Sequence, residues 1–266
     1  MATSVAVNFS KKSLIVITGA SKGIGQTIAV EMSKRLATNS IFVLLARSMD
    51  GLEKTKNCIL ETDKSFTVLT FAIDLSSTDF DGYTEMFNEV LTSVDNANIE
   101  YGYLFHNAGH VGDLKQASEL VDLKTWKSYY DLNLFSAILI NNAFLRKFQD
   151  LFTRIVIINV TSLAGRQPFA NMSMYGCAKA SRDIFFRVLA LEQPNLTVLN
   201  YSPGPVLTDM FNSICDSAQS LDLRRSFQEV RNTSVLSASQ TVTKLLNLLE
   251  EGQYKSGDTV DYFDRI

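Results

Sequence analysis

Apolar residues along the chain fall into short dense blocks, separated by longer stretches in which they recur every three or four positions. Ser13–Thr18, Ser40–Ala46 and Arg154–Val160 are rich in Ile, Val, Leu and Phe. Blocks of that length with β-branched residues predict strands buried on both faces. Phe66–Ile73, Tyr101–Phe105, Leu196–Tyr201 and a short Thr259–Phe263 predict four more. Helical periodicity covers about Ile24–Ala37, a segment reaching about Glu61, then Thr78–Val94, Leu123–Phe148, Met172–Gln193 and Ser237–Glu251. Strands alternating with helices predict an α/β fold, a doubly wound parallel sheet of about seven strands with helices on both faces. One domain is expected over residues 1–266. Only Ser202–Val235 breaks the rhythm, with Pro203, Gly204 and Pro205 before a mixed polar helix. It reads equally as a surface excursion or as a lid over a pocket beyond the strand ends.

Composition narrows this little. The 266 residues are 46% hydrophobic and 20% charged, with a net charge of −3. Basic residues are scattered, so no nucleic-acid partner is expected. The Leu14–Ile17 block is far too short to span a membrane, and the first twelve residues lack the apolar segment and cleavage site of a signal peptide. Cys58, Cys177 and Cys215 are odd in number and widely spaced. Neither a disulfide framework nor a metal site is expected, and a reducing, cytoplasmic location fits. Cys177 reads as a small buried helix residue before it reads as a reactive thiol.

The first candidate chemistry is a phosphate loop. Thr18-Gly-Ala-Ser-Lys-Gly-Ile-Gly25 lies between the first strand and the first helix. Its glycines let the backbone turn sharply and approach a ligand, and the helix start behind it offers free amides to a pyrophosphate. Gly19, Ser21, Lys22, Gly23, Ile24 and Gly25 are therefore candidate cofactor contacts, and the sheet is expected to be of the Rossmann type. After the second strand stand Ala46, Arg47 and Ser48 rather than an acid. A carboxylate there would repel a 2′-phosphate, whereas a guanidinium can pair with it, and Lys22 adds a second positive charge. NADPH is the expected cofactor. Asp74-Leu75 after the third strand suits the adenine, and Asn107-Ala108-Gly109 after the fourth lets the chain pass close to a ribose.

The second is Tyr175-Gly-Cys-Ala-Lys179, with Ser162 thirteen residues before the tyrosine. Residues i and i+4 share a helix face, so the phenol and the ammonium can reach one pocket. A nearby cation favours phenolate and is expected to lower the tyrosine pKa toward a useful range.

Together with Asn133 and Pro203-Gly204, these motifs resemble the short-chain dehydrogenase/reductase family over nearly the whole chain. The resemblance implies a tetrad: Tyr175 as general acid, Ser162 holding the carbonyl oxygen, Lys179 tuning the tyrosine and binding the nicotinamide ribose, and Asn133 keeping a water in a relay to Lys179. It also implies cofactor contacts at Val206, Leu207, Thr208, Asp209 and Met210, and substrate contacts at Leu163 and Gly204. A closer likeness is to a branch that reduces pterin side-chain carbonyls with NADPH. It rests on Gln167-Pro168-Phe169, Leu189–Glu192, Pro194-Asn195, Val198–Tyr201, Pro203–Pro205, Thr208–Met210, Lys255–Gly257 and Val260-Asp261. In that branch a carboxylate near the C-terminus anchors the pterin, and Asp261 matches it; taken alone, Asp261 reads as a surface acid ending a strand. A reductase of small dicarbonyls or other ketones shares every tetrad residue, and a non-enzymatic NADPH sensor is a remote third reading. Arg166 and His106 depart from the branch pattern; His106 and His110 are expected to be structural or surface residues. Relatives pair through two long helices, which implies a homodimer through 123–148 and 172–193.

Overall fold

The computed structural model describes residues 5–77, 79–94 and 97–265. Seven parallel strands form one sheet: β1 (Ser13–Thr18), β2 (Ile41–Ala46), β3 (Thr67–Ala72), β4 (Tyr101–His106), β5 (Arg154–Val160), β6 (Thr197–Ser202) and β7 (Thr259–Asp261). Their order is β3-β2-β1-β4-β5-β6-β7. The chain thus winds outward from β1 to β3, returns to β4, and winds outward again. That reversal opens a crevice at the C-terminal ends of β1 and β4, where ligands bind in such sheets.

The strands are apolar throughout because both faces are covered. Ile15, Ile17, Phe42, Leu44, Tyr103 and Phe105 point to one face, under α1 (Gly23–Ser33), α2 (Met49–Thr62) and α9 (Ala238–Glu251). Leu14, Val16, Val43, Leu45, Leu104 and Ile157 point to the other, under α3 (Phe80–Val94), α5 (Ser136–Phe148) and α6 (Ser173–Glu192). Alternation of Cβ directions along each strand makes two cores from one set of apolar blocks. The expected start of the third helix, Thr78, lies outside the described residues.

Two segments differ from expectation. The helix expected over Leu123–Phe148 is divided: α4 (Leu123–Tyr130) passes into a π-helical turn, Asp131–Phe135, before α5. The Ser136 amide bonds to the Asp131 carbonyl, five residues back, which widens the helix at Asn133. The excursion after β6 holds two helices, α7 (Asp209–Ser217) and α8 (Leu221–Thr233). Their apolar side chains Ile214, Ala218 and Leu223 cluster with Tyr175 and Val111, so the excursion lies over the tyrosine.

Among the described residues, no helix is long and apolar enough to cross a membrane. All three cysteines are free thiols. Cys177 is exposed on α6, not buried as its small size led us to expect, because it faces away from the sheet while Tyr175, Ala178 and Lys179 are buried.

Candidate active site

The glycine loop is held by the end of β4. The Thr18 hydroxyl donates to the Phe105 carbonyl (3.2 Å) and accepts from the amides of Asn107 and Ala108 (both 3.0 Å). The Asn107 side-chain amide donates to the carbonyl of Thr18 (3.0 Å) and to that of Gly19 (3.3 Å). Gly25 meets this loop so closely that a Cβ would stand 2.3 Å from the Gly19 carbonyl oxygen. α1 begins behind the loop with no side chain capping its first amides, whereas α2, α7 and α9 are capped by Ser48, Thr208 and Ser237. Free amides at the positive end of a helix suit a pyrophosphate.

Arg47 and Ser48 are exposed beyond β2. Asp74 lies beyond β3, and its Oδ1 accepts from the amide (3.0 Å) and hydroxyl (2.8 Å) of Ser76. Those bonds, with the Arg47 charge as a smaller cause, hold its pKa below the usual carboxylate value. Lys22 does not stand free as a second cation: its Nζ is 2.6 Å from Asp209 Oδ2, across the cleft on α7. Pro203–Met210 line the far side, with Val206 buried and Leu207 exposed. Residues able to hold a dinucleotide line this crevice: free backbone amides at the start of α1, Arg47 and Asp74 beyond β2 and β3, and Asn107–Gly109 beyond β4.

Ser162, Tyr175 and Lys179 converge beyond β5. Ser162 precedes a 3₁₀ turn, Leu163–Gly165, and its hydroxyl accepts from the Ala164 amide at 3.2 Å. Tyr175 is buried in the first turn of α6. Lys179, one turn on, donates to the Val160 carbonyl at 2.7 Å and lies 5.6 Å from the centre of the tyrosine ring. Asn133 is buried in the π turn; its amide donates to the Tyr129 carbonyl and its Oδ1 accepts from the His110 amide, both at 2.9 Å.

The tyrosine pKa moves up, not down as the sequence led us to expect. Burial raises it, against smaller downward pulls from the Ser162 hydroxyl and the Arg182 guanidinium. Burial also drives the Lys179 pKa well below its ordinary value, aided by the Arg182 charge. A desolvated lysine is a weak cation, so it does little to favour phenolate.

Asp261, read from sequence alone as a surface acid, is buried at the end of β7 with 7% exposure. Its Oδ2 accepts from the Ser202 hydroxyl and its Oδ1 from the Phe263 amide at 3.0 Å. Arg166 Nη2 stands 3.7 Å from Oδ2.

Against this geometry we set known proteins. The signature described as short chain dehydrogenase matches residues 13–219. The chain belongs to the short-chain dehydrogenase family. It is 30% identical to sepiapterin reductase of Bos taurus over 95% of both chains, and 32% identical to that of Xenopus tropicalis over 94% of this chain and 96% of the relative. It is also 30% identical to a benzil reductase of Bacillus subtilis over 90% of this chain and 94% of the relative. Among solved structures, the KRED1-Pglu enzyme superposes with a TM-score of 0.80 at 25% identity, covering 94% of this chain and all of that one. The chain is therefore an oxidoreductase with the Rossmann-type sheet of its family.

Beneath the site of this short-chain dehydrogenase lies a buried polar network that motif reading missed. Arg182 is 1% exposed and donates to the carbonyls of His106 (2.6 Å) and Ala108 (3.2 Å) and to Asn159 Oδ1 (2.9 Å). Asn159 donates in turn to Asp183 Oδ1 (3.1 Å) and Asn200 Oδ1 (2.8 Å). Arg182 thus ties α6, which carries Tyr175 and Lys179, to the segment that carries Asn107. The signal was present: Lys179, Arg182 and Asp183 recur at helical spacing on one face of the segment that carries Tyr175. His106, also fully buried, packs 4.9 Å from the ring of Phe186. Burial pushes its pKa down to about 3, so the imidazole is neutral at pH 7.

Proposed function

We propose that the protein reduces the side-chain carbonyls of pterins with NADPH, taking sepiapterin to dihydrobiopterin and 6-pyruvoyl-tetrahydropterin to tetrahydrobiopterin. The observation that carries this reading is the buried carboxylate of Asp261 at the same end of the sheet as Ser162, Tyr175 and Lys179. A buried carboxylate needs donors, and the aminopyrimidinone edge of a pterin offers parallel N–H groups. The likeness to sepiapterin reductases over nearly the whole chain supports it.

NADPH, when bound, supplies the hydride. Ser162 donates a hydrogen bond to the substrate carbonyl oxygen and polarises it. Tyr175 gives that oxygen its phenolic proton as negative charge develops. The phenol is protonated at neutral pH and so holds the proton to be given, while burial makes it a weaker acid than a free tyrosine. Lys179 holds the nicotinamide ribose, and Asn133, fixed in the π turn, keeps a water that returns a proton through Lys179. Arg47 pairs with the 2′-phosphate, while Gly19–Gly25, Asp74-Leu75, Asn107–Gly109 and Val206–Met210 hold the rest of the cofactor. Leu163, Gly204 and Asp261 line the substrate side.

Loss of the yellow absorbance of sepiapterin, measured with NADPH and the purified protein and with benzil in parallel, tests this. Fast pterin loss, cut sharply by Asp261→Asn while benzil reduction persists, is the expected outcome. Benzil turnover without pterin loss would replace the reading with a dicarbonyl reductase, which the likeness to the bacterial benzil reductase favours.

The active protein is a cytoplasmic homodimer in this reading. Phe135, beside α5, and Ile184, Val188 and Leu191 on α6 expose apolar side chains, Leu191 at 82%. A second copy burying both helices would remove them from water. Sedimentation as a monomer at micromolar concentration would contradict this.

A further inference from the structure

Arg166 is the one basic residue within ion-pair distance of Asp261 among the described residues, with Nη2 3.7 Å from Oδ2. It emerges from the 3₁₀ turn that follows Ser162, and its amide closes that turn on the Leu163 carbonyl at 2.9 Å. The turn is pressed against α6: a Cβ on Gly165 would stand 3.0 Å from the Ala180 amide nitrogen and 3.1 Å from Lys179 Cβ. The guanidinium therefore reaches the carboxylate from a fixed base. Its side chain keeps 36% of its exposure, while that of Asp261 keeps 10%. The arginine thus forms the solvent side of the pair, and a ligand approaching Asp261 meets it first.

A guanidinium and the 2-amino-4-oxopyrimidine edge of a pterin offer a carboxylate the same thing, adjacent coplanar N–H donors. Oδ1 and Oδ2 already accept from Phe263 and Ser202, so few acceptor positions remain to share. We propose that Arg166 is a specificity-determining residue, a cation held beside Asp261 in ion-pair rather than hydrogen-bond contact, that a pterin must displace to reach the carboxylate. The inference rests on the pterin reading of the site. Displacement costs every pterin the same interaction before and during reaction, so it raises KM rather than lowering kcat. A dicarbonyl without an aminopyrimidinone edge leaves Arg166 in place and bears no such cost. Arg166 thereby shifts selectivity away from pterins and toward simpler carbonyls.

The test compares kcat/KM for sepiapterin and for benzil in the wild type, Arg166→Leu, Asp261→Asn and the double variant, with Arg166→Gln as a second neutral replacement. We expect Arg166→Leu to raise the sepiapterin-to-benzil ratio by about two- to fivefold, the scale of a partly exposed ion pair, through KM. With Asp261→Asn already present, the second change should leave the ratio where it is. A ratio that falls or stays constant in Arg166→Leu and Arg166→Gln would overturn the inference while leaving the pterin reading intact. So would an equal rise with Asp261→Asn present. If neither wild type nor Arg166→Leu consumes sepiapterin while both reduce benzil, the pterin reading itself fails and the inference with it.

Discussion

The two wings of the sheet carry their charges differently. On the β1–β3 side, Lys22, Arg47 and Asp74 stand exposed around the mouth of the crevice. On the β5–β7 side, Lys179, Arg182, Asp183 and Asp261 are buried. Exposed charges act on a ligand in high dielectric, where each interaction is weakened by water. Buried charges lose their water first and act on each other second, as the raised Tyr175 and lowered Lys179 pKa values show, with burial the main cause and the Arg182 charge a smaller one. One wing is a recognition surface whose parts can be removed singly; the other is a coupled unit.

Tyr175→Phe probes the coupled wing most directly. Turnover should fall by about 10²- to 10⁴-fold, the scale of a positioned acid, while NADPH binding by fluorescence titration persists. If binding falls as steeply, the tyrosine is holding the cofactor crevice together rather than donating a proton.

Arg182→Leu comes next. It would take the guanidinium donors from the carbonyls of His106 and Ala108 and remove one of the cations near Asp183, which keeps Lys179. Urea unfolding should show a loss of about 3–5 kcal/mol, the cost of breaking a buried charged network. A loss below about 1 kcal/mol would mean that the two wings differ in burial but not in coupling.

Arg47→Ala tests the exposed wing. NADPH affinity should weaken by about 1.5–3 kcal/mol, with NADH nearly unaffected and stability unchanged. Equal weakening of both cofactors would break the assignment of the 2′-phosphate to Arg47.

The last prediction is a pH dependence. His106 binds its proton at about pH 3 folded and near 6.5 unfolded, so the unfolded chain binds more protons between those values. Stability from its burial is complete above about pH 6.5 and is lost as pH falls toward 3, with a slope of about 1.4 kcal/mol per pH unit. Urea midpoints at pH 7 and 4.5 should draw together in His106→Phe. Unchanged separation would place the acid sensitivity elsewhere, with Asp183 or other buried groups.

The glycine loop, Arg47, Asp74, Asn107, Ser162, Tyr175 and Lys179 were all legible in the chain. The glycine loop and the Tyr175–Lys179 pair are local motifs whose spacing states their geometry, Arg47, Asp74 and Asn107 were read from their places just after strands, and Ser162 came from the family likeness. The strands were legible for a similar reason, since burial on both faces demands unbroken apolar runs. What local spacing could not express was environment. The π turn at Asn133 inserts one residue into a helix that is periodic on either side, so the pattern passed straight through it. Cys177 was placed on the wrong side of the surface, and Asp261 would have been if read without the family likeness, because exposure depends on what packs against a residue and not on its neighbours in sequence.

The amino-acid sequence by itself determined the sheet, the glycine turn before the first helix and the shared helix face of Tyr175 and Lys179, since these follow from hydrophobic period and short-range spacing. Only the tertiary structure decided the protonation behaviour of Tyr175 and Lys179, the burial of Asp261 and its pairing with Arg166. Those depend on desolvation and on charges brought together across the fold, from residues 166 and 261 or 108 and 182, which are far apart along the chain.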